Sequence, residues 1–292
     1  MRALRTASTL TQPYPKAGEG GPQHNRCMTQ RRDLIQQGAA LAATALLLPR
    51  SVSAQTSWPQ RAFEAHSLAD AAKALGATSV APSSEVTLQA PDLTEDGALV
   101  PLSMTTTLPG VRQLALLVER NPGVLSAVFT LSDAIEPQLS LRVKMQESSR
   151  VWALALLADG RALYAVRELR VTVGGCSGAD DPESVTNPAA TPIRVRAQAA
   201  PGKPTLVRAL LTHEMESGQR QDAQGKPIPA WHITEVSVRQ NGRPVLAVWL
   251  GPAVSRNPLL QFTLRSAQAG DKLAIGWVDN RGNRRSDEAA VA

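Results

Sequence analysis

Residues 139–145 read Leu139-Ser140-Leu141-Arg142-Val143-Lys144-Met145, with an apolar side chain at every second position. That period of two is the signature of a strand with one face on a core and one face in solvent. The same alternation runs through Val100/Leu102/Met104 and Val86/Leu88/Ala90. Further strands are predicted over Val111–Val118, Val124–Leu131, Val151–Leu157 and Leu163–Val173. Turn signals separate them at Asp96-Gly97, Pro109-Gly110, Asn121-Pro122-Gly123 and Asp159-Gly160. Seven or so short strands in roughly 90 residues imply an antiparallel sandwich.

Working outward, Phe63, Leu68, Ala72 and Leu75 recur at about helical spacing. They predict one short helix from Gln60 to Leu75 that stops at Gly76. From Gly174 to Pro192 the pattern gives way to Gly, Ser, Asp, Asn, Ala and Pro, a connector composition. Strands resume at Ile193–Ala197, Leu206–Leu211, Leu259–Arg265 and Leu273–Val278. The clearest hairpin pairs Ile233–Arg239 with Val245–Leu250 around Asn241-Gly242. The expected fold class is all-β: two β-sandwich units, 55–178 and 192–292, joined by a linker over 179–191, with a short N-terminal helix before the first.

Composition narrows the function. Apolar residues make up 43% of the 292 residues and charged residues 19%, as in a globular chain with aliphatic cores. The formal charge of +6 would invite a nucleic-acid partner. Once the seven basic and two acidic residues of 1–54 are set aside, however, 24 basic and 23 acidic residues remain. A nearly neutral body gives no electrostatic motive for nucleic acid.

Gln30-Arg31-Arg32-Asp33-Leu34-Ile35, the apolar run Gly38–Pro49 and Ser51-Val52-Ser53-Ala54 resemble a twin-arginine signal peptide cleaved after Ala54. The run is 12 residues long, short of the about 20 that span a bilayer. The mature chain is thus expected in the periplasm, with no membrane span. Met28 stands three residues before the arginine pair, and residues 1–27 are expected to be a misassigned start or a dispensable extension.

Cys27 precedes the cleavage point, so the exported chain keeps one thiol, Cys176. One cysteine cannot close an intramolecular bridge, and a lone exported thiol is either buried and inert or exposed and used. Gly174-Gly175-Cys176-Ser177-Gly178 follows the alternating strand Leu169/Val171/Val173, which places the thiol on a tether of minimal bulk. Its flanks are polar, favouring the exposed reading. Asp180, Asp181 and Glu183 do not favour a thiolate, and no activating base is in evidence.

Gly174-x-Cys176-x-Gly178 has the spacing of a nucleophile elbow, but no helix pattern follows it, which argues against a self-contained hydrolase. His213-Glu214-Met215-Glu216 lacks the second His of a zincin, since position 217 is Ser. His232 could join His213 across a sheet, yet two histidines define no metal site. Trp152, Trp231, Trp249 and Trp277 read as core or interface anchors.

These residues carry a family resemblance. Val86-Thr-Leu-Gln-Ala-Pro-Asp-Leu-Thr-Glu-Asp-Gly-Ala-Leu-Val-Pro101, the Asn121-Pro122 turn and Val171-Thr-Val-Gly-Gly-Cys-Ser-Gly178 resemble SoxY, the sulfur-carrier subunit of the thiosulfate-oxidising Sox system. Thr212-His-Glu-Met-Glu-Ser-Gly-Gln-Arg220, Gly225-Lys-Pro-Ile-Pro-Ala230, Gly251-Pro-Ala-Val-Ser-Arg-Asn-Pro258, Ala269-Gly-Asp-Lys272 and Trp277-Val-Asp-Asn280 resemble its partner subunit SoxZ.

The resemblance implies two immunoglobulin-like sandwiches that pack on each other, and a carrier rather than an enzyme. Sulfur intermediates would be held covalently on Cys176, with Gly174, Gly175, Ser177 and Gly178 as the flexible arm and no cofactor. It also implies as partners the c-type cytochrome SoxAX, the sulfate-releasing hydrolase SoxB and the sulfane dehydrogenase SoxCD. A carrier for another periplasmic oxidation and a noncatalytic binding module remain as alternatives. Two positions depart from the family. Ser177 replaces a glycine on an arm that continues through Asp180 to Thr191, so the arm is expected to be tethered at both ends. Glu214 stands where the family has proline, and no chemical role is read for it.

Overall fold

The computed structural model describes residues 58–175, 186–222 and 224–292. The leader region 1–54, Cys176, Ser177, Gly178 and most of the linker expected at 179–191 therefore lie outside the described residues.

Two short helices, α1 (Trp58–Phe63) and α2 (Leu68–Ala74), open the chain. The first half then contributes β1 (Ser79–Pro82), β2 (Val86–Gln89), β3 (Leu93–Asp96), β4 (Val100–Thr106), β5 (Val111–Val118), β6 (Leu125–Leu131), β7 (Ile135–Val143), β8 (Ser149–Leu157) and β9 (Arg161–Val173). After a 3-10 turn at Pro188–Ala190 come β10 (Arg194–Ala197), β11 (Thr205–Leu210), β12 (Ile233–Gln240), β13 (Arg243–Leu250), β14 (Leu259–Leu264), β15 (Lys272–Asp279) and β16 (Arg284–Ala290). The predicted single helix is two. Ser67 takes an extended backbone at the N-cap of α2, and its Oγ accepts the Asp70 amide at 3.1 Å. A serine that bonds local backbone in this way competes with a continuous helix and starts a new one.

The all-β sandwich architecture expected of the two units is present, and its two sheets do not stop at the boundary between the halves. One sheet has ten strands in the order β1-β9-β8-β5-β6-β13-β12-β15-β16, with β3 also on β9; the other has six, in the order β10-β11-β14-β7-β4-β2. The halves meet by backbone pairing in both. Leu250 to Leu246 of β13 lie opposite Ala127 to Leu131 of β6, and Gln261 of β14 lies opposite Ser140 of β7.

The composition of β6 explains the join. Of its residues Leu125–Leu131 only Thr130 is not fully buried, so both of its faces are apolar. A strand of that kind belongs at the centre of a sheet, and left as an edge it would be open to pairing with other chains. Phe129, Ala127 and Leu131 face the core shared by both halves, which also holds Phe262, Val207, Val248 and Trp277. Leu125 and Val128 face the opposite way, into a second cluster under the helices with Ala62, Ala71, Ala72 and Trp152. The hairpin between β12 and β13 turns at Asn241 and Gly242 with φ of 50° and 79°. Positive φ at both positions is what a tight two-residue turn needs.

Candidate functional site

The site is the end of β9, where Gly174 and Gly175 precede Cys176 in the sequence. β9 runs for 13 residues, and its last turn of sequence is held from the side by β3 in parallel register, Thr94 opposite Val171 and Asp96 opposite Val173. Beyond Val173 three backbone segments close on one another. The Gly97 amide donates to the Val173 carbonyl at 2.8 Å, the Met145 amide to the Gly97 carbonyl at 2.7 Å, and the Gly175 amide to the Met145 carbonyl at 2.9 Å. A Cβ added at Gly97, Gly174 or Gly175 would come within 3.0 Å of backbone atoms of Met145, Gln146 or Gly97 respectively. None of the three has a φ in the left-handed region. Glycine is therefore required at all three by close approach, and the backbone is fixed as far as Gly175.

Asn121 completes the fixture from beneath. It is buried, its Nδ2 donates to the Lys144 carbonyl at 2.7 Å, and its Oδ1 accepts the Gln146 amide at 3.1 Å. One side chain thus grips both neighbours of Met145. The sequence marked Asn121 only as a turn residue; the signal that could have identified it is an Asn whose amide offers a donor and an acceptor to an irregular segment.

The second half holds the same segment from above. The Lys144 amide donates to Ala253 at 2.6 Å, the Ser255 amide to Arg142 at 3.1 Å, and Ser255 Oγ to the Ala98 carbonyl at 2.7 Å. The buried Lys144 ammonium donates to the Met215 carbonyl. Beside Gly175 lies a groove of about 490 Å³ lined by Asp96, Arg142, Lys144, Glu214, Arg220 and Arg256 among others. Glu214, without a role in the sequence, pairs here with Arg256 at 3.2 Å, and Glu216 pairs with Arg220 at 2.7 Å.

The histidines do other work. His213 is fully buried; its Nδ1 accepts the Met215 amide at 3.0 Å, which leaves Nε2 to face Asp279 at 3.3 Å. Asp279 also receives Trp231 Nε1 at 2.7 Å, Asn283 Nδ2 at 2.8 Å and the amides of Arg281 and Asn283. Burial pushes the Asp279 carboxyl up, but these bonds outweigh it and hold it below the ordinary range. Burial lowers His213, only partly opposed by Asp279. His232 falls to about 4, through burial and then the neighbouring His213 and Lys144. Among the described residues no group of His, Cys, Asp and Glu could hold a metal ion. The cluster shapes the 213–216 loop, whose residues Glu214, Met215 and Glu216 line the groove. Trp152 and Trp277 are core residues, as expected of anchors.

The fold and this site define a β-sandwich protein, built by two halves of one chain, in which Gly175 is fixed by backbone packing just before Cys176. Residues 71–176 match the sulfur oxidation protein SoxY and residues 193–290 the sulphur oxidation protein SoxZ. The chain belongs to the SoxY and SoxZ families, as a fusion of the two within the Sox sulfur-oxidation system.

It is thus a sulfur-oxidation protein of the Sox system. Among solved structures, it is similar to the sulfur carrier protein SoxY from Chlorobium limicola f thiosulfatophilum at 27% identity and a TM-score of 0.32, covering 35% of this chain and 92% of that one. A superoxide reductase (neelaredoxin) from Ignicoccus hospitalis aligns at 16% identity and a TM-score of 0.27, over 30% of this chain and 79% of that one. No curated protein matches the chain. Among the described residues no helix is long and apolar enough to cross a membrane.

Proposed function

We propose that the chain is a periplasmic carrier, exported by the twin-arginine route, that holds thiosulfate-derived sulfur covalently on Cys176. The observation that carries this reading is one chain in which a SoxY match ends at residue 176 and a SoxZ match follows, with the preceding Gly175 fixed by backbone packing. A rigid root gives partner enzymes a constant point from which to receive the thiol, and the carrier needs no base or oxyanion site of its own.

In this reading SoxAX joins thiosulfate to Cys176. The S–H bond breaks, an S–S bond forms, and one proton and two electrons leave, the electrons to the cytochrome. SoxB adds water to the terminal sulfur, releasing sulfate and leaving a persulfide, and SoxCD oxidises the remaining sulfane sulfur. The intact mass of the protein from its native periplasm, before and after reductant, tests the assignment. Reductant-removable sulfur or thiosulfate mapped to Cys176 is the expected result. A bare thiol after incubation with thiosulfate and the three enzymes would overturn it, as would carrier activity retained in Cys176→Ser.

A further inference from the structure

The two sheets are finished differently on their outer faces. α1 and α2 cover part of the ten-stranded sheet, whereas no helix among the described residues covers the six-stranded one. Its register sets two adjacent rungs across both halves. One runs Arg196, Arg208, Gln261, Ser140, Ser103, Gln89; the next runs Arg194, Leu210, Leu259, with Arg142 opposite Pro101 at its far end.

These rungs carry four arginines, all exposed, and no carboxylate. On the rung beyond Leu206, Glu136 stands opposite Thr263 and pairs with Arg265 at 4.0 Å, and in the groove at the other end Glu214 pairs with Arg256 and Glu216 with Arg220, leaving Asp96 as the further carboxylate of that lining. The body of the chain is nearly neutral, so this asymmetry is local. Arg196 lies directly opposite Arg208, a like-charge pair that weakens a sheet. Leu210 and Leu259, opposite each other and half-buried, give the patch an apolar centre with arginines around it, the composition of an interface. It is also continuous with the arm root, because Leu210 and Arg142 line the same groove as Gly175.

We infer that this face is the docking surface for the acidic surface of an enzyme that acts on Cys176, so the inference rests on the carrier reading for the identity of its partner. Complementary charge would speed encounter and orient the enzyme with the arm root at one side of the contact.

The test uses the full chain and the purified thiosulfate-conjugating cytochrome SoxAX as the probe. It measures association by surface plasmon resonance at several ionic strengths, together with loading of Cys176 by mass. The variants are Arg194→Glu/Arg196→Glu/Arg208→Glu, a control Arg239→Glu/Arg243→Glu on the other sheet, and Arg196→Glu alone. The triple variant is expected to associate at least about tenfold more slowly at low salt and to lose most of the salt dependence, with the control unchanged.

Arg196→Glu faces Arg208 with a carboxylate, so it should raise the melting temperature while slowing association; a variant that slowed association only by misfolding would melt lower. Equal association and loading by wild type and triple variant overturn the docking surface and leave the carrier reading standing. Association that depends on this face without any loading of Cys176 supports the surface and sinks the carrier reading. No association of the wild-type chain, or association with no dependence on salt, overturns the docking surface.

Discussion

The Gly175 amide donates to the Met145 carbonyl at 2.9 Å, and this bond fixes the backbone immediately before Cys176. It is possible because Gly175 and Gly97 have no side chains; a Cβ at Gly175 would overlap the Gly97 backbone. The obstacle is the main chain of Gly97 and Ala98, so no side chain can swing away to make room. Gly175→Ala is expected to destabilise the protein by about 2 kcal/mol or more, the scale of overpacking a close-packed interior. Urea unfolding measures it directly, and a midpoint equal to wild type would show that the root is looser than this geometry requires.

Asn121 is the second support of that bond, since it grips Lys144 and Gln146 on either side of Met145. Asn121→Ala removes a donor and an acceptor at once and leaves the buried Lys144 carbonyl and the part-buried Gln146 amide without this partner. Each such loss costs about 1–3 kcal/mol, so a combined loss of about 2–4 kcal/mol is expected. Faster hydrogen exchange at the Gly175 and Gln146 amides should accompany it. Unchanged exchange at both would remove Asn121 from the support of the root.

Much of this fold was legible in the period-two pattern. The strand over 139–145 and its counterparts through Leu273–Val278 reappear as β2, β4 to β15, with ends shifted by a few residues. Three strands were not legible. β16, Arg284–Ala290, has no fully buried residue, so its strand character comes from pairing with β15 and leaves no hydrophobic alternation. β1 and β3 are four residues each and exposed or half-buried, defined by parallel pairing to β9. The join between halves was hidden for a related reason: edge pairing is made by backbone, and only the apolar outer face of β6 hinted at it. At the site, the glycines stood out in the sequence, but as a source of freedom; their actual constraint depends on Gly97 and Met145, which are distant in sequence.

Acid sensitivity should come from the histidines. His213 and His232 both have folded values below the ordinary 6.5, His232 at about 4. The unfolded chain therefore binds protons that the folded one does not, and stability is lost as the pH falls. That contribution is complete above about pH 6.5 and declines toward pH 4, by up to about 1.4 kcal/mol per pH unit for each proton involved. Asp279, held below its ordinary 3.8, adds a further loss only at still lower pH. His232→Gln should flatten the dependence of unfolding free energy on pH between 6.5 and 4. An unchanged slope would show that His232 titrates normally in the fold.

Cutting the chain between the halves should not separate them. The β6–β13 and β7–β14 pairings carry the sheets across the boundary, and Phe129 from one half and Phe262 from the other are both fully buried in the same core. Parting the halves would expose that core and leave β6 as an apolar edge, far costlier than the chain entropy a linker supplies. A protease site placed between residues 178 and 186 should therefore yield two fragments that elute together as a one-to-one complex with an unchanged melting profile. Fragments that elute separately at micromolar concentration would mean that the linker, rather than the shared sheets, keeps the two halves together.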